Sequence, residues 1–167
     1  MHLKEKNRFN RQLLLSVFMI LAAFILVPVG PVAHADQTAV VATAAADYSS
    51  GAHSVISVNP VGGPRTASNN LAPTISDITV TAYGDYFYRI EKYFADNVTK
   101  FSVNAPATPI WQYATLDDPS DPTSNPQDMV FESDHKAYLL RYNSTSAWIE
   151  DPSAENEADF KIGELDL

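Results

Sequence analysis

Two stretches of this chain carry the same side-chain pattern about 50 residues apart, and this recurrence constrains the fold more than any other feature. Asp77-Ile78-Thr79-Val80 matches Asp128-Met129-Val130-Phe131. With a one-residue gap in the first turn, Tyr88-Arg89-Ile90-Glu91-Lys92 falls on Tyr138-Leu139-Leu140-Arg141-Tyr142, and Val98-Thr99-Lys100 on Ala147-Trp148-Ile149. A period of this length belongs to architectures in which one supersecondary unit buries its apolar surface against the next.

Within each unit the local signals are those of short strands. Pro60, Pro64, Pro73, Pro106, Pro109, Pro119, Pro122, Pro126 and Pro152 interrupt the stretches where a long helix would run. Between them lie runs rich in Val, Ile, Thr, Tyr and Phe, bounded by turn residues, so the expected class is all-β. The pattern predicts strands at 54–58, weakly at 65–68, then at 77–82, 86–94, 98–103 and 110–115. A polar loop, LDDPSDPTSNPQ, separates these from a second group at 128–133, 137–142, 147–150 and 160–165. Residues 36–52 are Ala-rich and lack clear periodicity, and are expected to form a flexible linker.

The richest strand run carries Arg89, Glu91 and Lys92. Strand alternation puts Tyr86, Tyr88, Ile90, Lys92 and Phe94 on one face and Phe87, Arg89, Glu91 and Tyr93 on the other. In the next unit Arg141 takes the position of Glu91. Two readings follow. The charges are either desolvated and paired between units, with Glu91 and Arg141 as the expected pair, or they lie on a solvated face, where strand charges are commonest.

The second unit, NPQDMVFESDHKAYLLRYNSTSAWIEDPS, resembles the YVTN-type β-propeller repeat in Asn125-Pro126, Met129-Val130-Phe131, Tyr138-Leu139 and Ala147-Trp148-Ile149. It departs from that signature at Leu140-Arg141, as the first unit does at Ile90-Glu91, and the first unit lacks the leading Asn-Pro. The resemblance implies antiparallel four-stranded blades of a propeller from a secreted bacterial protein. The expected division is a partial blade of outer strands at 53–70, one full blade at 71–116 and another at 117–167. Two full blades do not close a propeller, whose usual range is four to eight, so the chain reads as the front of a longer protein.

Residues 1–35 read as a secretory signal helix. Lys4, Lys6, Arg8 and Arg11 precede an apolar run from Leu13 to Val27, then Pro28, Gly30 and Pro31, and an Ala33-His34-Ala35 cleavage signature before Asp36. The protein is therefore expected in the periplasm or outside the cell, with membrane contact only if the leader stays uncleaved. Residues 36–167 carry seven cationic and nineteen acidic side chains, a balance of −12. Such a surface repels nucleic acid and anionic lipid. The absence of cysteine excludes disulfides, thiolate metal sites and a Cys nucleophile.

Signals for chemistry are sparse. His53 and His135 have no ligand set beside them, and no catalytic or phosphate-binding motif is present, so no catalytic, cofactor or metal residues are assigned. Ser49, Ser50 and His53 lie close in sequence but in the expected linker, a poor place to preorganise a nucleophile. The acids Asp117, Asp118, Asp121 and Asp128 fit no calcium-loop spacing and read as a solvated loop. Asp77 and Asp128 recur where each inner strand begins, either bonding the entering loop or ringing a central channel with carboxylates. Trp111, Tyr113 and Trp148 are expected to pack between blades. The leading expectation is a non-catalytic scaffold that binds a protein or polymer partner through rim loops. The alternatives are the first blades of a propeller enzyme, an oxidoreductase or a polysaccharide-acting one, and a small β-sandwich adhesion domain.

Overall fold

The structure, a computed structural model, describes residues 37–59 and 62–167. The expected leader lies outside the described residues. Among the described residues eleven strands form three antiparallel sheets. The first sheet holds β1 (Thr38–Ala44), β2 (Gly51–Ser57) and β3 (Ala67–Thr74) in that order. In the middle sheet β4 (Ile78–Tyr83), β5 (Tyr86–Glu91), β6 (Asn97–Ser102) and β7 (Ala105–Ala114) follow one another as a meander. The third sheet repeats the meander with β8 (Pro126–Ser133), β9 (Lys136–Arg141), β10 (Ser146–Glu150) and β11 (Lys161–Asp166). A 3-10 turn at Glu157–Asp159 precedes β11.

Local chemistry explains the elements. The β4–β5 hairpin closes on the Tyr83–Tyr86 pair with only Gly84 and Asp85 between, and Gly84 takes φ +59, which glycine adopts without steric cost. Strand β5 stops at Glu91, three residues before the run of β-formers ends, because the chain turns left-handed at Phe94 (φ +67) and Asp96 (φ +50). Pro106 and Pro109 sit inside β7, where proline is tolerated because β7 is an edge strand.

The 36–52 segment is a correction to the sequence reading. Instead of a linker it supplies all of β1 and the start of β2, with seven register pairs from Thr38–Ser57 to Ala44–Gly51. Small Ala and Thr side chains give no strong alternation, so the strand is specified by its partner and not by its own pattern. Gly51 is required here, because a Cβ would fall 2.1 Å from the Ile75 carbonyl oxygen.

Three residues connect β3 to β4 and eleven connect β7 to β8, and β3 touches β7. His53 of β2 packs on Phe101 of β6. Thus β1, β2 and β3 correspond to β5, β6 and β7. Among the described residues the first sheet has no strand in the place that β4 and β8 occupy.

The middle sheet is covered on both faces. One face, with Tyr88, Ile90, Val98 and Tyr113, forms a core with Met129, Leu139, Trp148 and Phe160 of the third sheet and its loop. The other, with Phe87 and Phe101, meets His53 of the first sheet; the two Phe rings stack with centroids 5.0 Å apart. Each fully buried side chain of this size contributes roughly 1.5–3 kcal/mol. Tyr88 and Tyr138 lie in different sheets, as two stacked units require.

Candidate functional site

The loop between the second and third strand positions recurs in every sheet: residues 45–50, 92–96 and 142–145. All three emerge on the same rim. Gly51 abuts Ile75, just before β4, while the Lys92 and Tyr142 amides donate to the carbonyls of Asp77 and Asn125, just before β4 and β8. Each loop carries an exposed aromatic. Tyr48 is 77% exposed, Phe94 70% and Tyr142 76%, and the ring of Tyr93, 49% exposed, lies tilted against that of Phe94 with centroids 4.0 Å apart. Exposed large aromatics in the same loop of successive sheets are not what solubility selects. Tyr48 (φ 58) and Phe94 also sit in the left-handed region, which costs a bulky residue of order 1–3 kcal/mol and persists where the surroundings hold it.

The surroundings do hold it. In the first loop the Tyr48 amide donates to the Ala45 carbonyl, and Ser49 donates twice to Asp47, holding that carboxyl below the usual range. In the second, buried Asp96 anchors the chain. Its Oδ1 accepts from Thr123 Oγ1 (2.8 Å), the Ser124 amide (3.0 Å), Ser124 Oγ (3.2 Å) and the Asn125 amide (2.7 Å). This one carboxylate ties the 92–96 loop to the segment entering β8. The Asn143 amide then donates to the Ser124 carbonyl, which links the third loop to the same segment.

Asp117 is a second hub. It accepts from Arg141 Nη1 (2.7 Å), Lys161 Nζ (2.7 Å) and Trp148 Nε1 (3.0 Å). Arg141 and Lys161 both lie over the Trp148 ring, at 4.4 and 4.5 Å. Burial pushes the Asp117 carboxyl up, but the hydrogen bonds from Lys161 and Arg141 outweigh it and hold it at about 2. A cavity of about 290 Å³ opens beside this hub, lined by Asp121, Thr123, Arg141 and Asn143 among others. All four acids of this loop are exposed, in keeping with a solvated loop, and bonds within it shape the chain: Asp117 clamps it, Asp118 accepts from Ser120, and Asp121 accepts from the Asp118 amide.

The expected pair of Glu91 with Arg141 is not the one formed. Glu91 pairs with Arg89 on its own strand at 2.6 Å, both buried, and Arg141 pairs with Asp117. The reason is geometric. Glu91 and Arg141 are equivalent positions of stacked modules, so each faces the sheet that precedes its own. They lie at successive interfaces and cannot meet. The charges are nonetheless desolvated, because Arg89, Glu91 and Arg141 are all buried.

Asp77 and Asp128 are not structural counterparts. A bulge at the start of β8 pairs Pro126 with Arg141 and Asp128 with Leu140, which is the place Thr79 holds opposite Ile90. The counterpart of Asp77 is Asn125: the Tyr142 amide donates to its carbonyl at 3.0 Å, as the Lys92 amide does to that of Asp77 at 2.9 Å. Asp77 lies 3.9 Å from Lys92 Nζ, and Asp128 accepts from the Met129 amide. Both are exposed.

His53 is fully buried in β2. Its Nε2 donates to the Pro106 carbonyl at 2.7 Å and its Nδ1 faces Arg89 Nη1 at 3.3 Å. A carbonyl requires the proton on Nε2, so Nδ1 accepts from Arg89 and the ring is neutral; burial, then the Arg89 charge, lower its pKa. Trp111, Tyr113 and Trp148 pack between sheets. Among the described residues no group of three or more His, Asp or Glu side chains is placed to hold a metal ion.

The aromatic rim escaped the sequence reading, which placed Tyr48 in a linker and ran Tyr93 and Phe94 on into a strand. The available signal was an aromatic within two residues of the end of β5 and β9, at Tyr93 and Tyr142. No family model, curated protein or solved structure matches this chain.

Proposed function

We propose that this chain is an exported, non-catalytic scaffold of the β-propeller type that holds an extended partner against one rim. The observation that carries the reading is the recurrence of an exposed aromatic in the same loop of three successive sheets, the first two loops held by the carboxylates of Asp47 and Asp96 and the third by backbone bonds to Ser124 and Asn125. Side chains so held lose little entropy on binding, and rigid loops on a stacked scaffold are a common way for a fold without chemistry of its own to recognise a partner. Two further features support propeller-type stacking. The meander order repeats in the two four-stranded sheets. The outer face of the third sheet also exposes Val130, Leu140 and Leu165, the counterpart of the face that the middle sheet turns to its neighbour. The basic start, apolar run and Ala33-His34-Ala35 signature support export.

The test is an array of extended ligands, peptides and polysaccharides, probed with the wild type and with a Tyr48→Ala/Phe94→Ala/Tyr142→Ala variant. The three side chains are exposed, so the variant should unfold within a few degrees of the wild type. Binding to at least one ligand class, lost in the variant, is the expected result. Binding that survives the variant, or turnover of a bound ligand, contradicts the reading.

A further inference from the structure

We infer that the partner of the aromatic rim is a neutral polysaccharide, an uncharged polymer rich in hydroxyls, laid across the loops of Tyr48, Tyr93–Phe94 and Tyr142. This inference rests on the rim reading above and narrows it to one ligand class.

The chemistry of the three loops selects the class. Small hydroxyl, amide or carboxylate groups flank the aromatic in two of the three loops: Asp47, Ser49 and Ser50 in the first, Asn143 and Thr145 in the third. A sugar ring presents an apolar C–H face flanked by hydroxyls, which fits an aromatic face flanked by short polar groups. The loops offer almost no positive charge. Lys92 is their one cation, with Asp77 3.9 Å away, and residues 36–167 carry a balance of −12. An anionic polymer would therefore be repelled, and no Arg fork is present in these loops to grip a carboxylate, sulfate or phosphate.

The spacing selects a polymer over a small sugar. Sheets packed face to face lie about 10 Å apart, so an extended chain reaches successive loops where a single sugar ring does not. A single exposed ring contact is weak. Three contacts on one chain reinforce each other, because the first raises the effective concentration of the others. A proline-rich peptide also docks on aromatics, but it seats in a groove lined by them, whereas here each loop presents its aromatic separately.

Affinity electrophoresis in native gels tests the inference. The purified chain would be run through gels containing soluble neutral polysaccharides (glucomannan, xyloglucan, hydroxyethyl cellulose), anionic alginate, or no polymer, at low and high salt. A labelled proline-rich peptide would be titrated in parallel. Retardation by at least one neutral polymer is expected, with little change in high salt and no competition from monosaccharide. Tyr142→Ala should weaken it about tenfold, and the triple alanine variant should abolish it. Retardation only by alginate, relieved by salt, overturns the inference, as does the absence of retardation in every neutral gel. Peptide binding that the triple variant abolishes overturns the glycan assignment and leaves the rim reading standing. Glycan binding that the triple variant retains overturns both.

Discussion

The two interfaces of the middle sheet are built from the same module yet held by different forces. On the side of the first sheet, Arg89 donates to the Ala72 carbonyl, pairs with Glu91 and meets His53, while Gln112 donates to Glu91 at 2.8 Å and to Asn97 at 3.0 Å. On the side of the third sheet, an apolar and aromatic cluster fills the gap, and polar contacts are clasps at its margin. Lys100 reaches the Pro152 carbonyl at 2.8 Å, and Tyr113 the Ala154 carbonyl at 3.2 Å. Stacking therefore depends on which face is buried and by how much, not on one chemistry. A polar network adds specificity where geometry is exact enough to satisfy it, and it fails abruptly when one member is lost.

The largest expected effects separate the two interfaces by mechanism. Glu91→Ala strands a buried guanidinium and should cost about 3–5 kcal/mol in chemical denaturation, while Arg89→Met/Glu91→Leu together should recover most of it. At the other interface Leu139→Ala leaves a cavity and should cost about 2–5 kcal/mol, with no recovery from any charge change. If both single variants cost under ~1 kcal/mol, the sheets are not stacked as described. Asp96→Ala comes next. It leaves the buried Ser124 amide without its acceptor and the Asn125 amide with Thr123 Oγ1 alone, a loss of about 1–3 kcal/mol, and it should loosen the rim loops, seen as faster hydrogen exchange at 123–125.

Smaller effects appear in the pH dependence, with opposite signs. His53 is neutral when folded and its pKa is below the ordinary 6.5, so the stability it contributes is complete above pH 6.5 and is lost as pH falls from there. Glu150 lies in the second interface, fully buried, and neither carboxyl oxygen has a hydrogen-bond partner among the described residues. Burial pushes its carboxyl well above 4.5, against the pull of Arg141, so its contribution is complete below pH 4.5 and falls as pH rises through the folded value. Glu150→Gln should therefore raise the Tm at pH 8 and leave it unchanged at pH 4. His53→Gln should flatten the acid-side loss between pH 6.5 and 5. A Glu150→Gln variant that lowers the Tm at pH 8 would show that the carboxylate is ionised and paired.

Much of the fold was legible because period and composition agree. The 50-residue recurrence, the prolines and the turn residues at Gly84-Asp85 and Asp134-His135 place eight strands of the two full sheets to within a few residues, apart from the early start of β7. What stayed hidden depends on tertiary context. Strand β1 has small side chains and no alternation, so only its pairing with β2 specifies it. Sequence matching paired Asp77 with Asp128 because it cannot see the bulge before Asp128. Alternation put Arg89 and Glu91 on one face correctly, but equivalence in a stack was taken for contact across it, which led to Arg141. The rim aromatics read as strand or linker residues because local propensity says nothing about left-handed backbone held by a distant carboxylate.

Glu91 and Arg141 hold equivalent positions that face successive interfaces, and a double-mutant cycle measures that directly. Glu91 should couple to Arg89 by more than ~1.5 kcal/mol and to Arg141 by no more than the ~0.3–0.5 kcal/mol expected of independent sites. A large Glu91–Arg141 coupling with none to Arg89 would mean that the two charges share one interface, and would contradict the stacking described.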